Sequence, residues 1–158
     1  MGIPSRISLT KSISESIPTY NCALYSRRVR LSDMAIDGNH RVVAIVDDDA
    51  AVRVALEGLL RSAGLTARAF ESAEEFIKSG QQFHTACLIA DIRMPGMSGL
   101  ELQGKLNSEN CRIPIVFITA HGDAQMRMQA LRAGAVEFLA KPFNDEALLE
   151  TVRAALEN

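Results

Sequence analysis

The sequence predicts an α/β domain built as a doubly wound, five-stranded parallel sheet with five helices. Two observations predict it. Short apolar runs without polar alternation recur after residue 40, as strands buried on both faces require. Between them lie segments whose apolar residues fall three and four apart, the spacing of helices with one buried stripe. Strand and helix alternate throughout, the order that right-handed crossovers impose on a parallel sheet.

The first strand is Val42 to Val46 (VVAIV), followed by a helical stripe at Val52, Leu56, Leu59 and Leu60. Leu65 to Phe70 forms a weaker strand, and Ala73, Phe76 and Ile77 mark the next helix. Ala86 to Ala90 (ACLIA) is the third strand, with Leu100, Leu102 and Leu106 on the helix after it. Ile115 to Ile118 (IVFI) is the fourth, followed by a helix marked by Met128 and Leu131. Val136 to Ala140 supplies a second weaker strand, and Ala147 to Leu156 a last helix with Leu148, Val152 and Leu156 on one stripe. The punctuation agrees. Ser72 with Glu75 and Ser98 with Glu101 match the Ser-x-x-Glu capping box, and Asp123 and Asn144 suit the N-caps of the last two helices. Gly64, Gly80 and Gly134 fall where helices should stop, because glycine takes the left-handed C-terminal conformation freely.

The 158 residues divide at about residue 41. Residues 1–40 hold seven serines and five basic side chains (Arg6, Lys11, Arg27, Arg28, Arg30) against three acids, and Pro4 and Pro18 interrupt any periodicity. They are expected to be a disordered tail preceding a domain at 41–158. The Ser/Arg-rich start resembles a transit peptide, and Met-Gly opens like a myristoylation site, although Arg6 stands where that motif wants Ser or Thr. A start at Met34 is the alternative, and an N-terminal mass on native protein would decide between them.

Composition excludes several classes. Seventeen Lys and Arg against nineteen Asp and Glu are too balanced for a bulk polyanion binder, so neither nucleic acid nor a membrane surface is an expected partner. Cys22, Cys87 and Cys111 are odd in number and widely spaced, which disfavours a disulfide scaffold and a zinc site. No apolar run reaches the roughly 18 to 20 residues that span a bilayer, and a cytoplasmic location is expected.

In an open parallel sheet, ligands bind at the carboxyl ends of the strands. There the sequence puts Asp47-Asp48-Asp49, then Asp91, Thr119-Ala120 and Lys141-Pro142. Each has a commonplace role: an Asp run caps helices or turns, Thr is common at strand ends, and a lone Lys is usually solvated. Together, three carboxylates in one place repel each other and need a cation, and hard oxygen ligands suit Mg²⁺. A hydroxyl and an ammonium opposite it can hold phosphoryl oxygens. Asp91, at the end of a central strand and before the tight loop Arg93-Met94-Pro95-Gly96-Met97-Ser98-Gly99, is the candidate nucleophile of an acyl-phosphate-forming transfer. No GxGxxG, GKS or GKT is present, which argues against nucleotide-binding folds, and a flavodoxin-like cofactor protein would lack the acids.

At these residues the chain resembles the receiver domain of two-component response regulators, a flavodoxin-like fold. The resemblance covers roughly Val42 to Leu156 and rests on IVDDD, DIRMPGMSG, FITA and EFLAKP in order, with a short apolar helix following. PIVFITAHGDAQMRMQALRAGAVEFLAKPF is most similar to the nitrogen-fixation (FixJ-type) receivers. The resemblance implies that Asp91 accepts a phosphoryl group from a phosphohistidine of a sensor kinase or phosphotransfer protein. It implies that Asp48, Asp91 and the Arg93 backbone carbonyl hold Mg²⁺, with Asp47 acting through water, and that Thr119 and Lys141 contact the phosphoryl oxygens. Phe138 matches the aromatic switch that moves inward with Thr119, coupling the site to the face of the last two helices and fifth strand. That face would bind a downstream protein, or a second copy when phosphorylated.

Arg93 and His121, each two residues beyond a site residue, are candidate modulators of the phosphorylated state's lifetime; both could equally be plain exposed loop side chains. His40 and His84 have no such context, and Met126 and Met128 read as core and surface packing. Because the chain ends two residues beyond its last helical stripe, with no room for a helix-turn-helix, the expected protein is a stand-alone receiver, a phosphorylation switch and not an enzyme, whose output is binding another protein. A truncated DNA-binding transcription regulator is the second reading. A haloacid-dehalogenase-type phosphatase is the third, opposed by Arg93 where that family places a second acid.

Overall fold

In the computed structural model of the chain, residues 41–120 and 122–157 are described. The expectations for residues 1–40, including the tail and the Met34 start, and for His121 lie outside them. Five parallel strands, β1 (Val42–Val46), β2 (Thr66–Phe70), β3 (Thr85–Asp91), β4 (Ile115–Thr119) and β5 (Glu137–Ala140), form one sheet in the order β2-β1-β3-β4-β5. Four helices connect them, α1 (Ala50–Ser62), α2 (Ala73–Ser79), α3 (Gly99–Ser108) and α4 (Ala124–Arg132), and a fifth, α5 (Asp145–Glu157), follows β5. The doubly wound expectation holds. A 3₁₀ turn at Gln81–Phe83, which no periodicity announces, links α2 to β3.

Alternate residues of the buried strands face opposite sides, so the sheet carries two cores. Ala44, Val46, Leu88, Ala90, Ile115 and Phe117 meet Phe76, Leu102, Leu106 and Ala130 of α2, α3 and α4. Val43, Ile45, Ile89, Val116 and Ile118 meet Leu56 and Leu60 of α1 and Leu148, Val152 and Ala155 of α5. Each large aliphatic side chain buried this way stabilises the fold by about 1.5–3 kcal/mol relative to exposure. Phe70 and Phe76 pack edge to face, ring centroids 5.3 Å apart, joining β2 to α2.

The expected stripes hold except on α4. There Met128 is 53% exposed and Leu131 only partly buried, while Ala130 is the residue that enters the core. Two large residues at helical spacing mimic a buried stripe, but the Ala130 methyl is what meets the core. Met126 packs partly against the core, so the Met126/Met128 pair divides between core and surface.

Caps follow the sequence closely. Ser98 and Glu101 form a complete capping box. Ser72 accepts from Glu75 N–H, but the return bond from Glu75 goes to Glu71 N–H, one residue earlier than a box requires. Asp123 accepts from Met126 N–H, and Asn144 from Glu146 and Ala147 N–H. Asp49, the third acid of the run, caps α1 through Ala51 N–H. Gly64, Gly80 and Gly134 have positive φ at the helix ends.

Candidate functional site

The site residues are delivered by strand register. Asp47 follows β1, and its N–H donates to Phe70 O of β2 at 3.2 Å. Asp91 ends β3 opposite Ile118, so Thr119 lies one position further along the neighbouring strand. Thr119 pairs in turn with Ala140, and the N–H of Lys141 donates to Thr119 O at 2.9 Å. Residues 47, 91, 119 and 141 therefore reach one edge of the sheet. Asp48 sits in the exposed turn leading to α1, and the Lys141-Pro142 bond is cis.

The Lys141 ammonium joins the acids. Its Nζ donates to Asp47 Oδ2 at 3.0 Å and to Asp91 Oδ2 at 3.1 Å. The Asp47 side chain is fully buried, while those of Asp91 and Lys141 are 10% and 17% exposed. Burial holds the Asp47 carboxyl above its ordinary value, although the Asp49 N–H on its Oδ1 (2.9 Å) and Lys141 pull the other way. For Lys141, burial disfavours the charge, but the hydrogen bonds and charges of Asp47 and Asp91 together outweigh it and hold the ammonium's pKa above its ordinary value. Ligand oxygens of Asp47, Asp48 and Asp91 all lie within 4.8 Å of one another. Three ionised carboxylates against one ammonium leave two negative charges, the amount a divalent cation neutralises.

Thr119 is buried, and so is Phe138, its ring turned to the inside. Gly122 makes that position available: a Cβ there would stand 2.6 Å from two atoms of the Phe138 ring and 2.6 Å from Thr119 Cγ2. Arg93 is exposed, and its N–H makes a long bond, 3.4 Å, to Asp91 Oδ1.

The response regulator receiver domain family matches residues 43–153. The chain belongs to that family. Nodulation protein W of Bradyrhizobium diazoefficiens is 48% identical over 116 residues, 73% of this chain and 51% of the relative. Transcriptional regulatory protein FixJ of Azorhizobium caulinodans is 42% identical over 114 residues, 72% of this chain and 54% of the relative. Among solved structures, FixJ-N superposes with a TM-score of 0.69 at 39% identity, covering 75% of this chain and 94% of that one. The receiver domain thus spans about half the length of the curated relatives it matches.

Receiver domains act as phosphorylation switches and use Mg²⁺, and the acids here fit such an ion: all offer hard oxygens, they crowd together, and their charge exceeds what Lys141 balances. The structure brings Asp47, Asp48, Asp91 and Lys141 together and puts Thr119 beside them. Sequence reasoning missed Arg53, whose Nη1 donates to Asp47 O at 2.7 Å and secures the turn that carries the first two acids. Its position four residues beyond the Asp49 cap, one helical turn, was a usable signal. It also missed Glu74, which meets the loop after Asp91 from 23 residues upstream, a contact with no local signal. No helix among the described residues is long and apolar enough to cross a membrane.

Proposed function

We propose that Asp91 is the phosphoacceptor of this receiver domain. The observation that carries the reading is the ammonium of Lys141 bridging Asp47 and Asp91 within a three-carboxylate cluster. One Asp91 carboxylate oxygen forms a bond to phosphorus as the phosphorus–nitrogen bond of a phosphohistidine breaks, and the imidazole nitrogen keeps the electron pair. The donor is a sensor histidine kinase or a phosphotransfer protein. Asp48, Asp91 and the Arg93 carbonyl would hold Mg²⁺, with Asp47 acting through water, and the ion would supply charge neutralisation for the phosphoryl group. Lys141 then contacts a phosphoryl oxygen, and Thr119 another. Hydrolysis reverses the modification when water attacks phosphorus, and Arg93 and His121 set its rate.

The output follows from Thr119. Drawn toward the phosphoryl group, it favours the inward Phe138 ring and reshapes the face of α4, β5 and α5, which binds a downstream protein or a second copy of the chain. Such a switch works in the cytoplasm, where its kinase partner presents the phosphohistidine. The relatives named as transcriptional regulatory proteins support a second reading, in which this receiver domain acts as one part of such a regulator.

Incubation with a small phosphodonor and Mg²⁺, followed by mass measurement, tests the reading. Wild type should gain one phosphoryl group and Asp91→Asn none. Modification of neither, or of both equally, would overturn it. Followed over time, Arg93→Ala should lose the group at a rate several-fold different from wild type.

A further inference from the structure

The loop between β3 and α3 runs from Ile92 to Ser98 and is closed by Gly99 N–H donating to Ile92 O at 2.9 Å. From within, it is anchored by Met94, buried in the core on the α2, α3 and α4 side of the sheet. A second anchor comes from another element. Glu74, the second residue of α2, accepts the Met97 N–H on Oε2 at 2.8 Å. The same carboxylate covers Gly96, whose φ is +76°, and a Cβ there would stand 2.4 Å from Glu74 Oε2. The turn and the carboxylate are fitted to each other with no room for a side chain. The bond to Met97 also holds the Glu74 carboxyl below its ordinary range, so the acceptor is ionised at neutral pH.

Ser72 caps α2, and Ala73 and Phe76 bury it, while Glu74 is exposed. The Glu74 carboxylate is shared between its own backbone N–H in the first turn of α2 and the neighbouring loop, with the loop bond the stronger influence. That loop contains Arg93, whose carbonyl belongs to the ligand set proposed above. Mg²⁺ demands near-ideal octahedral geometry, so a backbone ligand serves it only where the backbone is held in place.

We propose that Glu74 is a positioning residue for the divalent-cation site: by holding Met97 N–H over the Gly96 turn, it fixes the path of the loop that presents the Arg93 carbonyl. The proposal rests on the reading of the site given under the proposed function. Gln at position 74 can accept the same bond through its amide oxygen, whereas Ala cannot.

Titration of the full chain with Mg²⁺, followed by backbone amide chemical shifts, tests it alongside thermal unfolding without Mg²⁺. Glu74→Ala should bind Mg²⁺ about tenfold more weakly than wild type, the low end of what outer-shell partners of a metal contribute. Glu74→Gln should return close to wild-type affinity. Ser72→Ala, which removes the cap of the same helix, should lower the unfolding temperature but leave Mg²⁺ affinity unchanged. Equal affinity in Glu74→Ala and wild type would overturn the proposal, and so would a Gln variant as weak as Ala or a loss in Ser72→Ala as large as in Glu74→Ala. A wild-type chain that bound no Mg²⁺ would strike the function reading itself, which separates the two failures.

Discussion

Helices α4 and α5 flank β5 yet are attached by different physics. Helix α5 buries Leu148, Val152 and Ala155 in the core beneath β1, β3 and β4, and its first turn is closed by Asn144, whose Oδ1 accepts from Glu146 and Ala147 N–H. Among the described residues of α4 only Ala130 is buried. What holds α4 is polar: Gln103 of α3 donates to Ala130 O at 2.9 Å, Asn107 donates to Ala133 O at 2.9 Å, and Arg127 reaches Phe138 O and Glu137 at 3.4 and 3.6 Å. Apolar burial has no substitute in water, whereas an exposed hydrogen bond exchanges for one to water at small net cost. A helix attached by a methyl group, the partly buried Met126, one buried hydrogen bond and a few exposed ones can be displaced without unfolding the domain. The element beside Thr119 and Gly122 is the one built that way.

The contrast makes graded predictions. Leu148→Ala should be the most damaging, about 2–5 kcal/mol of global stability, because it opens a cavity in a core that cannot collapse around it. Urea unfolding should show a lower midpoint with an unchanged slope, and a loss under about 1 kcal/mol would mean that α5 is attached no more firmly than α4. Gln103→Ala should cost about 0.5–1.5 kcal/mol, because it removes a buried hydrogen bond to Ala130 O, which keeps the Ala135 N–H as a donor. Native-state hydrogen exchange should then show the α4 amides opening while those of α5 stay protected, and equal loss in both helices would break the comparison. Arg127→Ala should cost least, about 0.2–1 kcal/mol, since its side chain is 55% exposed and that of Glu137 is 37% exposed. Its unfolding midpoint should fall within error of wild type at high salt.

Much of this was legible in the sequence. Strands buried on both faces, capping residues and helix-ending glycines are local signals, and they placed the five strands and five helices of the described residues. The site residues were legible because the C-terminal edge of a parallel sheet is a topological position, so that Asp47, Asp91, Thr119 and Lys141 could be assigned to it before any distance was known. What failed was set by tertiary spacing. Met128 has the period of a core residue, but Ala130 takes the core position of α4 instead. Glu74 has the look of a first-turn acid serving the helix dipole, and nothing within its own helix reveals that its acceptor is spent on Met97. Gly122 is likewise unremarked in a loop, and acquires meaning only when the Phe138 ring is found 2.6 Å from the place a Cβ would take.

The bridge from Lys141 to two acids also bears on how the chain assembles. Asp47 and Asp91 lie on adjacent strands, but their common counter-charge arrives 94 and 50 residues later, just after the last strand. A partly assembled sheet of β1 to β4 would hold these carboxylates together without the ammonium that bridges them, and burying Asp47 in that state would be costly. The penalty falls on the incomplete structure and is relieved when β5 docks. The charge arrangement at this edge thereby discourages half-folded forms and makes assembly of the sheet more nearly all-or-none.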